Sequence, residues 1–314
     1  MSHFSSSDMT ISYSDLSPEN FINKMKQYGC LVIKNLFSPS EIQHLVAETL
    51  DLFYLIKNLQ KNNLLNANTL KFIEGGHPAG ILPSLSSLES VLDKKNFVDS
   101  LMKYFGKEKF VVNVESTGIR RCDPTHWKNF LPWHQDIFDR DDRFVTCWMP
   151  LMAIDSETPG LDLVPFKLTQ KLGEQDGIDV AYNGKGLSDD LLNEKASPNR
   201  WRPQMELGDV IVFDPYCPHR TSYDKSFSKE RYSIDIRIHP KDCIPEASWK
   251  TNVINLPSTK NVQYEESASN NRTLFDFRHL VSLNLESPTG VGVSKKSYSF
   301  AKALIKKILP GKKE

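Results

Sequence analysis

Three short segments carry residue types able to gather a metal ion and an anion. The first is Trp133-His134-Gln135-Asp136. On an extended segment residues i and i+2 face one side, so His134 and Asp136 can point together at one ion. Alone the HxD pattern is weak: with eight histidines, a chain of this length produces one by accident about half of the time. The second segment runs from Gly208 to His219. A Gly-Asp turn feeds the apolar run Val210–Phe213, then a bend with two prolines, then His219. It presents an imidazole at the end of a rigid element, as a metal ligand requires. Two imidazoles and one carboxylate on one face of an octahedron form the non-haem Fe(II) arrangement, with positions left open for a co-substrate and oxygen.

The third segment is Arg231-Tyr232-Ser233-Ile234-Asp235-Ile236-Arg237. Alternation puts Arg231, Ser233, Asp235 and Arg237 on one face. If that face lines a barrel, an inward arginine must meet an anion, because an unpaired buried guanidinium is too costly. Its planar fork matches a carboxylate. Arg231 holding the far end of a dicarboxylate that chelates the iron meets that need. Arg237 is left as a second anion contact or an ion pair with Asp235.

These segments need a scaffold. Cys30–Ile33, Phe110–Val114, Phe144–Met149, Leu161–Val164, Val210–Phe213 and Tyr232–Ile238 are short, rich in β-branched and aromatic residues, and bounded by Pro, Gly and Asp. They predict an all-β core, a sandwich or small barrel. Ser17-Pro18-Glu19 and Ser38-Pro39-Ser40-Glu41 read as helix starts. The second opens an apolar stripe through Ile42, Leu45, Val46, Leu50 and Phe53, which predicts a helix packed on a sheet. Residues 60–100 read as loops and short helices. Residues 167–203 read as a lid-like insertion or an excursion with its own helices. One domain spans 1–314, with a disordered segment over 1–16, the core over about 17–245, and a C-terminal extension over 246–314. That extension ends in a short basic amphipathic helix, either solvated or in weak contact with a membrane surface or partner.

Composition narrows the classes. Lys plus Arg and Asp plus Glu both number 39, so the positive excess of a nucleic-acid binder is missing. The five cysteines form no CxxC pair, which argues against a zinc knuckle or disulfide scaffold and for a reducing, cytoplasmic setting. Nothing resembles a signal peptide or a transmembrane span.

From Asn20 to about Pro240 the chain resembles the phytanoyl-CoA dioxygenase-like branch of the Fe(II)/2-oxoglutarate-dependent oxygenases. Tyr28 to Ser38 with the Glu41 helix is similar to the family's opening, and Trp133–Asp136 to its HxD box. Trp148-Met149-Pro150-Leu151, Pro159-Gly160-Leu161 and Val164-Pro165 resemble the strands that follow. Gly208–His219 and Arg231 resemble the distal ligand and co-substrate arginine. The resemblance implies a double-stranded β-helix (jelly-roll or cupin-like) with N-terminal helices on one face. It implies Fe(II) on His134, Asp136 and His219, the distal carboxylate of 2-oxoglutarate on Arg231, and Thr221 near that carboxylate. With dioxygen, such an enzyme hydroxylates an unactivated C–H of a small molecule and releases succinate and carbon dioxide. Phe166-Lys167-Leu168 departs from the family's usual Gly-Ser-His, so substrate contacts do not transfer. Arg120, Arg121, Arg140 and Arg143 flank the HxD box, either favouring an anionic substrate or forming a solvated mixed-charge surface. His126, Trp127 and Trp133 stand either at the pocket mouth or in packing. A zinc-dependent hydrolase and a non-catalytic β-helix binding module are the rival readings.

Overall fold

The computed structural model describes residues 5–61, 94–113, 118–125, 130–137, 143–173, 175–176, 185–243 and 253–256. The strands are β1 (Thr10–Ser12), β2 (Cys30–Lys34), β3 (Phe110–Asn113), β4 (Gly118–Cys122), β5 (Val145–Pro150), β6 (Leu161–Leu163), β7 (Gln175–Asp176), β8 (Lys185–Gly186), β9 (Val210–Phe213), β10 (His219–Thr221), β11 (Arg231–Pro240) and β12 (Val253–Leu256). The helices are α1 (Pro18–Tyr28), α2 (Pro39–Lys61), α3 (Lys95–Phe105) and α4 (Asp189–Lys195). The result is a mixed α/β architecture around one large, mainly antiparallel sheet ordered β1-β2-β9-β5-β11-β3-β12, with β4 also paired to β11. A two-stranded sheet joins β6 and β10, and a second joins β7 and β8.

The continuous apolar runs are strands buried on both faces. Leu31, Ile33, Val145, Cys147, Met149, Val210, Val212, Ile234, Ile236 and Ile238 face outward onto the helices. There they meet Phe21 and Met25 of α1, Ile42, Leu45 and Phe53 of α2, and Phe97 and Leu101 of α3. The alternate residues Cys30, Val32, Trp148, Ile211 and Phe213 face inward, in one cluster with Leu161 and Leu163 of β6 and with Cys217. Each large apolar side chain so buried contributes about 1.5–3 kcal/mol. The inner cluster is what ties the large sheet to β6 and so to the β6–β10 pair.

Helix starts follow the sequence signals. Ser17 accepts from the Asn20 amide at 3.3 Å, with Pro18 in the first turn. Gly29 then ends α1 at φ 71°, a left-handed turn that drops the chain straight into β2. At α2, Glu41 accepts from the Ser38 amide at 2.7 Å. No described helix is long and apolar enough to cross a membrane.

Two expectations need correction. Residues 5–16, expected within a disordered segment, are structured. Ser5 and Asp8 form a reciprocal capping box, β1 pairs in parallel with β2, and Met9 is fully buried. Met9 and Ile11 are two apolar residues in a polar run, too few to show periodicity, yet parallel pairing to β2 holds Ile11 and the inner cluster takes Met9. The C-terminal extension is not separate from the core throughout, because β12 pairs antiparallel with β3. The basic terminal helix and most of residues 60–93 lie outside the described residues. Within 167–203, Leu168, Leu172, Leu187 and Leu192 form a buried cluster with Trp133 and Val164, and α4 is capped by Ser188.

Candidate metal centre

The HxD segment forms an isolated bridge to β10. His134 and His219 exchange backbone hydrogen bonds at 3.0 Å in both directions, which brings their rings to 4.2 Å between centres. Gln135 points the other way. Its amide nitrogen donates to the Tyr216 carbonyl at 2.7 Å, and its oxygen accepts from the Leu172 amide at 2.8 Å. That clamp fixes the alternation that sends His134 and Asp136 to the same side. Sequence reading missed Gln135, although parity alone points it away from the ligands.

His219 is delivered by the Gly-Asp strand. Gly208 adopts φ 102°, and a Cβ there would lie 2.0 Å from the Phe37 carbonyl oxygen. Only glycine allows the backbones to cross so closely. Asp209 closes the turn, accepting from Lys34 Nζ at 2.7 Å and from the Asn35 and Glu206 amides at 2.9 and 2.7 Å. After β9, the Asp214 carboxylate accepts from the Tyr216 amide at 2.9 Å, and its carbonyl accepts from the Cys217 amide at 3.1 Å. The bend so formed leads to His219.

The ligand atoms of His134, Asp136 and His219 lie within 4.8 Å of one another. His134 Nδ1 donates to the Pro132 carbonyl at 2.7 Å, and His219 Nδ1 donates to the Cys217 carbonyl at 3.0 Å. Each carbonyl can only accept, so both imidazoles keep their lone pair on Nε2, ready for a metal. Burial, aided by the neighbouring His219, pushes His134 down to about 4, and burial also lowers His219. Both rings are therefore neutral at pH 7. Burial alone would raise Asp136, but the Arg237 guanidinium, joined at low pH by the two imidazoles once they are protonated, outweighs it and holds the carboxyl well below its usual range. Arg237 Nη2 donates to Asp136 Oδ2 at 3.0 Å, and Thr146 Oγ1 donates to the same oxygen at 3.3 Å. Two neutral nitrogen donors and one ionised carboxylate fit Fe(II).

Arg237 thus pairs with Asp136 and not with Asp235, the partner named from sequence. Asp235 is taken by Arg120 from neighbouring β4. Arg231 stands apart. It is 2% exposed, its Nη1 reaches only the Gly160 carbonyl at 3.4 Å, and its buried Nε has no partner. Its guanidinium carbon lies 5.3 Å from the Trp148 ring centre. A buried cation with one long neutral contact fits an anionic ligand. Thr221 is buried, accepts from the Leu131 amide at 3.3 Å, and lines the same cavity as Arg231 and the three donors. That cavity is small, with about 20 Å³ of enclosed free space, and is partly open to solvent.

The arginines flanking the HxD box do not form an anion-binding surface among the described residues. Arg121 pairs with Glu230 and Asp123, Arg120 with Asp235, and Arg143 is exposed. Arg140, His126 and Trp127 lie outside the described residues. Trp133 is packed in the buried cluster with Val164 and Leu168, and the guanidiniums of Arg220 and Arg200 lie 4.5 and 5.3 Å from its ring centre.

A sequence profile of the phytanoyl-CoA dioxygenase (PhyH) family matches residues 25–231, a span that holds every predicted site residue. The chain belongs to the phytanoyl-CoA dioxygenase family. Enzymes of this family are iron-dependent oxidoreductases that use Fe(II), 2-oxoglutarate and dioxygen. Among solved structures, similarity is found to AviO1 from Streptomyces viridochromogenes Tue57, at 13% identity and a TM-score of 0.49, over 73% of this chain and 98% of that one. The non-heme alpha ketoglutarate dependent epimerase SnoN from nogalamycin biosynthesis matches at 11% identity and TM-score 0.40, over 70% and 81% of the two chains. SnoN in complex with Fe3+, alpha ketoglutarate and nogalamycin RO gives 11% and 0.44, over 71% and 83%. No curated protein sequence matches the chain.

Proposed function

We propose that this member of the family is an Fe(II)/2-oxoglutarate-dependent hydroxylase of a small molecule, built on a double-stranded β-helix. Support for the β-helix comes from the inner cluster, which the large sheet shares with the β6–β10 pair. The observation that carries the activity is the pairing of a His134/Asp136/His219 donor set with a buried, anion-seeking Arg231 in one cavity. A zinc hydrolase has no use for Arg231, and a binding module has no use for an open donor set. All five cysteines are buried thiols outside any disulfide, which supports a reducing, cytoplasmic setting.

His134, Asp136 and His219 would hold the iron. Bound iron, 2-oxoglutarate and dioxygen supply the oxidising power that turns a C–H into C–OH, with succinate and carbon dioxide as co-products. The Pro132 and Cys217 carbonyls fix the imidazole tautomers, and Arg237 with Thr146 fixes the carboxylate plane. Arg231 orients the co-substrate by its far carboxylate, with the Thr221 hydroxyl beside it. Leu131, Leu161 and Phe213 supply apolar wall that keeps bulk water from the reacting carbon.

Anaerobic addition of Fe(II) and 2-oxoglutarate tests this reading. A weak visible charge-transfer band is expected, lost in Asp136→Ala and weakened in Arg231→Ala. Absence of the band in the unaltered protein refutes the oxygenase reading. A product heavier by one oxygen atom distinguishes hydroxylation from epimerisation, which leaves the mass unchanged.

A further inference from the structure

We infer that Asp235, held by Arg120, is a substrate-binding subsite for a neutral hydroxyl group, so that the substrate is an uncharged, hydroxyl-bearing molecule. The inference rests on the oxygenase reading of the same cavity and adds the substrate class to it. Asp235 and Arg120 both line the cavity that holds the three donors. The Asp235 side chain is 10% exposed. Arg120 Nε donates to Oδ2, while the buried Oδ1 has no hydrogen-bond partner. A buried carboxylate oxygen without a donor is costly, so this wall calls for a ligand that donates. The co-substrate cannot serve, because ionised 2-oxoglutarate has only acceptor oxygens.

Charge then selects the donor. An ammonium group would approach Arg120 and Arg231 as well as Asp235. A carboxylate, or the phosphates of a CoA ester, would meet the Asp235 oxygen itself. A neutral O–H satisfies Oδ1 without disturbing the Arg120 pair. Gly118 faces Asp235 across the β4–β11 register, and among the described residues a Cβ there would meet Asp235 Oδ2 at 3.8 Å.

The test uses the full chain with Fe(II), 2-oxoglutarate and air, and measures succinate release with three probe sets. These are methyl glycosides and alditols, saturated acyl-CoA thioesters, and α-amino acids. The hydroxyl-bearing set is expected to stimulate release and the other two are not. The best probe is then titrated by calorimetry into the Zn(II)- and 2-oxoglutarate-loaded protein, which does not turn over. Asp235→Asn keeps an acceptor for Arg120 but turns an N–H toward the cavity, and should weaken probe binding by roughly tenfold or more. Gly118→Ala removes no polar group and puts a methyl in contact with the Asp235 carboxylate, and should weaken the same probe with 2-oxoglutarate affinity retained. Stimulation by the acyl-CoA or amino-acid set alone, no stimulation by any hydroxyl-bearing probe, or unchanged probe affinity in both variants overturns the inference. A missing charge-transfer band in the unaltered protein refutes the oxygenase reading instead, so the two failures are separable.

Discussion

Replacing Arg237 by Met tests whether the guanidinium serves the metal site or merely the fold. The side chains of Arg237 and Asp136 are 13% and 12% exposed, so their ion pair is largely shielded from water. Truncating one partner of such a pair costs about 3–5 kcal/mol, because the other charge stays buried. Thr146 still donates to Asp136 at 3.3 Å in the variant, which places the expected loss at the lower end, about 3 kcal/mol. For a chain of 314 residues that lowers the melting temperature of the metal-free protein by roughly 5 °C. A divalent ion on His134, Asp136 and His219 supplies the missing positive charge directly.

The deficit should therefore shrink by at least half when saturating Zn(II) is present, and metal should stabilise the variant more than the parent protein. Thermal unfolding with EDTA and with Zn(II), run side by side on both proteins, measures this. An equal deficit in both conditions refutes the reasoning, since it would make Arg237 ordinary packing. So would an undiminished melting temperature without metal, since Asp136 would then be well solvated.

Three further outcomes follow from the same geometry. His134 is lowered to about 4 by burial, so on acidification the unfolded chain takes up protons first, from about pH 6.5, and stability falls until the folded-state value is reached. Urea denaturation of the metal-free protein should show about 2 kcal/mol lost through His134 alone between pH 7 and 5, and His134→Gln should flatten that slope. Asp136 adds nothing in this window, because its contribution is lost only below the ordinary carboxylate range. Arg231→Lys keeps the charge but not the fork, so KM for 2-oxoglutarate should rise about tenfold or more while metal affinity stays unchanged. A parallel loss of metal affinity would contradict that separation. Gly208→Ala forces a methyl into the Phe37 carbonyl at φ 102° and should cost at least about 3 kcal/mol. Near-parental stability would show that the crossing of the two backbones relaxes freely.

Much of this was legible because it depends on period-2 geometry. Val210–Phe213 reads as a strand buried on both faces, and the alternation of its residues between the outer and inner clusters is what that reading requires. His134 and Asp136 share a parity, and so do Arg231 and Asp235. The missed parts depend on register between distant strands. Nothing in the sequence says that Arg120 stands opposite Ser233, and that pairing is what lets Arg120 reach Asp235 and frees Arg237 for Asp136. β1 was missed because a three-residue strand holds one buried apolar residue, and its evidence is a partner 22 residues away. β10 was missed because its three residues are His, Arg and Thr, which carry no apolar signal. Pairing with β6 makes them a strand.

The three arginines around the cavity divide the electrostatic work. Among the described residues Arg237 is paired with Asp136 and Arg120 with Asp235, while Arg231 has no ion-pair partner. A divalent ion at the donor set adds two more positive charges beside the same cavity, where low exposure weakens solvent screening. A dianion then meets a far more favourable field than it does in the metal-free protein. 2-Oxoglutarate should therefore bind much more tightly once Zn(II) is in place, and by reciprocity the metal should bind more tightly by the same factor in the presence of 2-oxoglutarate. Calorimetric titration in both orders measures that factor. Arg231→Ala should leave part of it, since direct chelation survives without the guanidinium. Equal 2-oxoglutarate affinity with and without metal would mean that Arg231 and the donor set do not face one ligand.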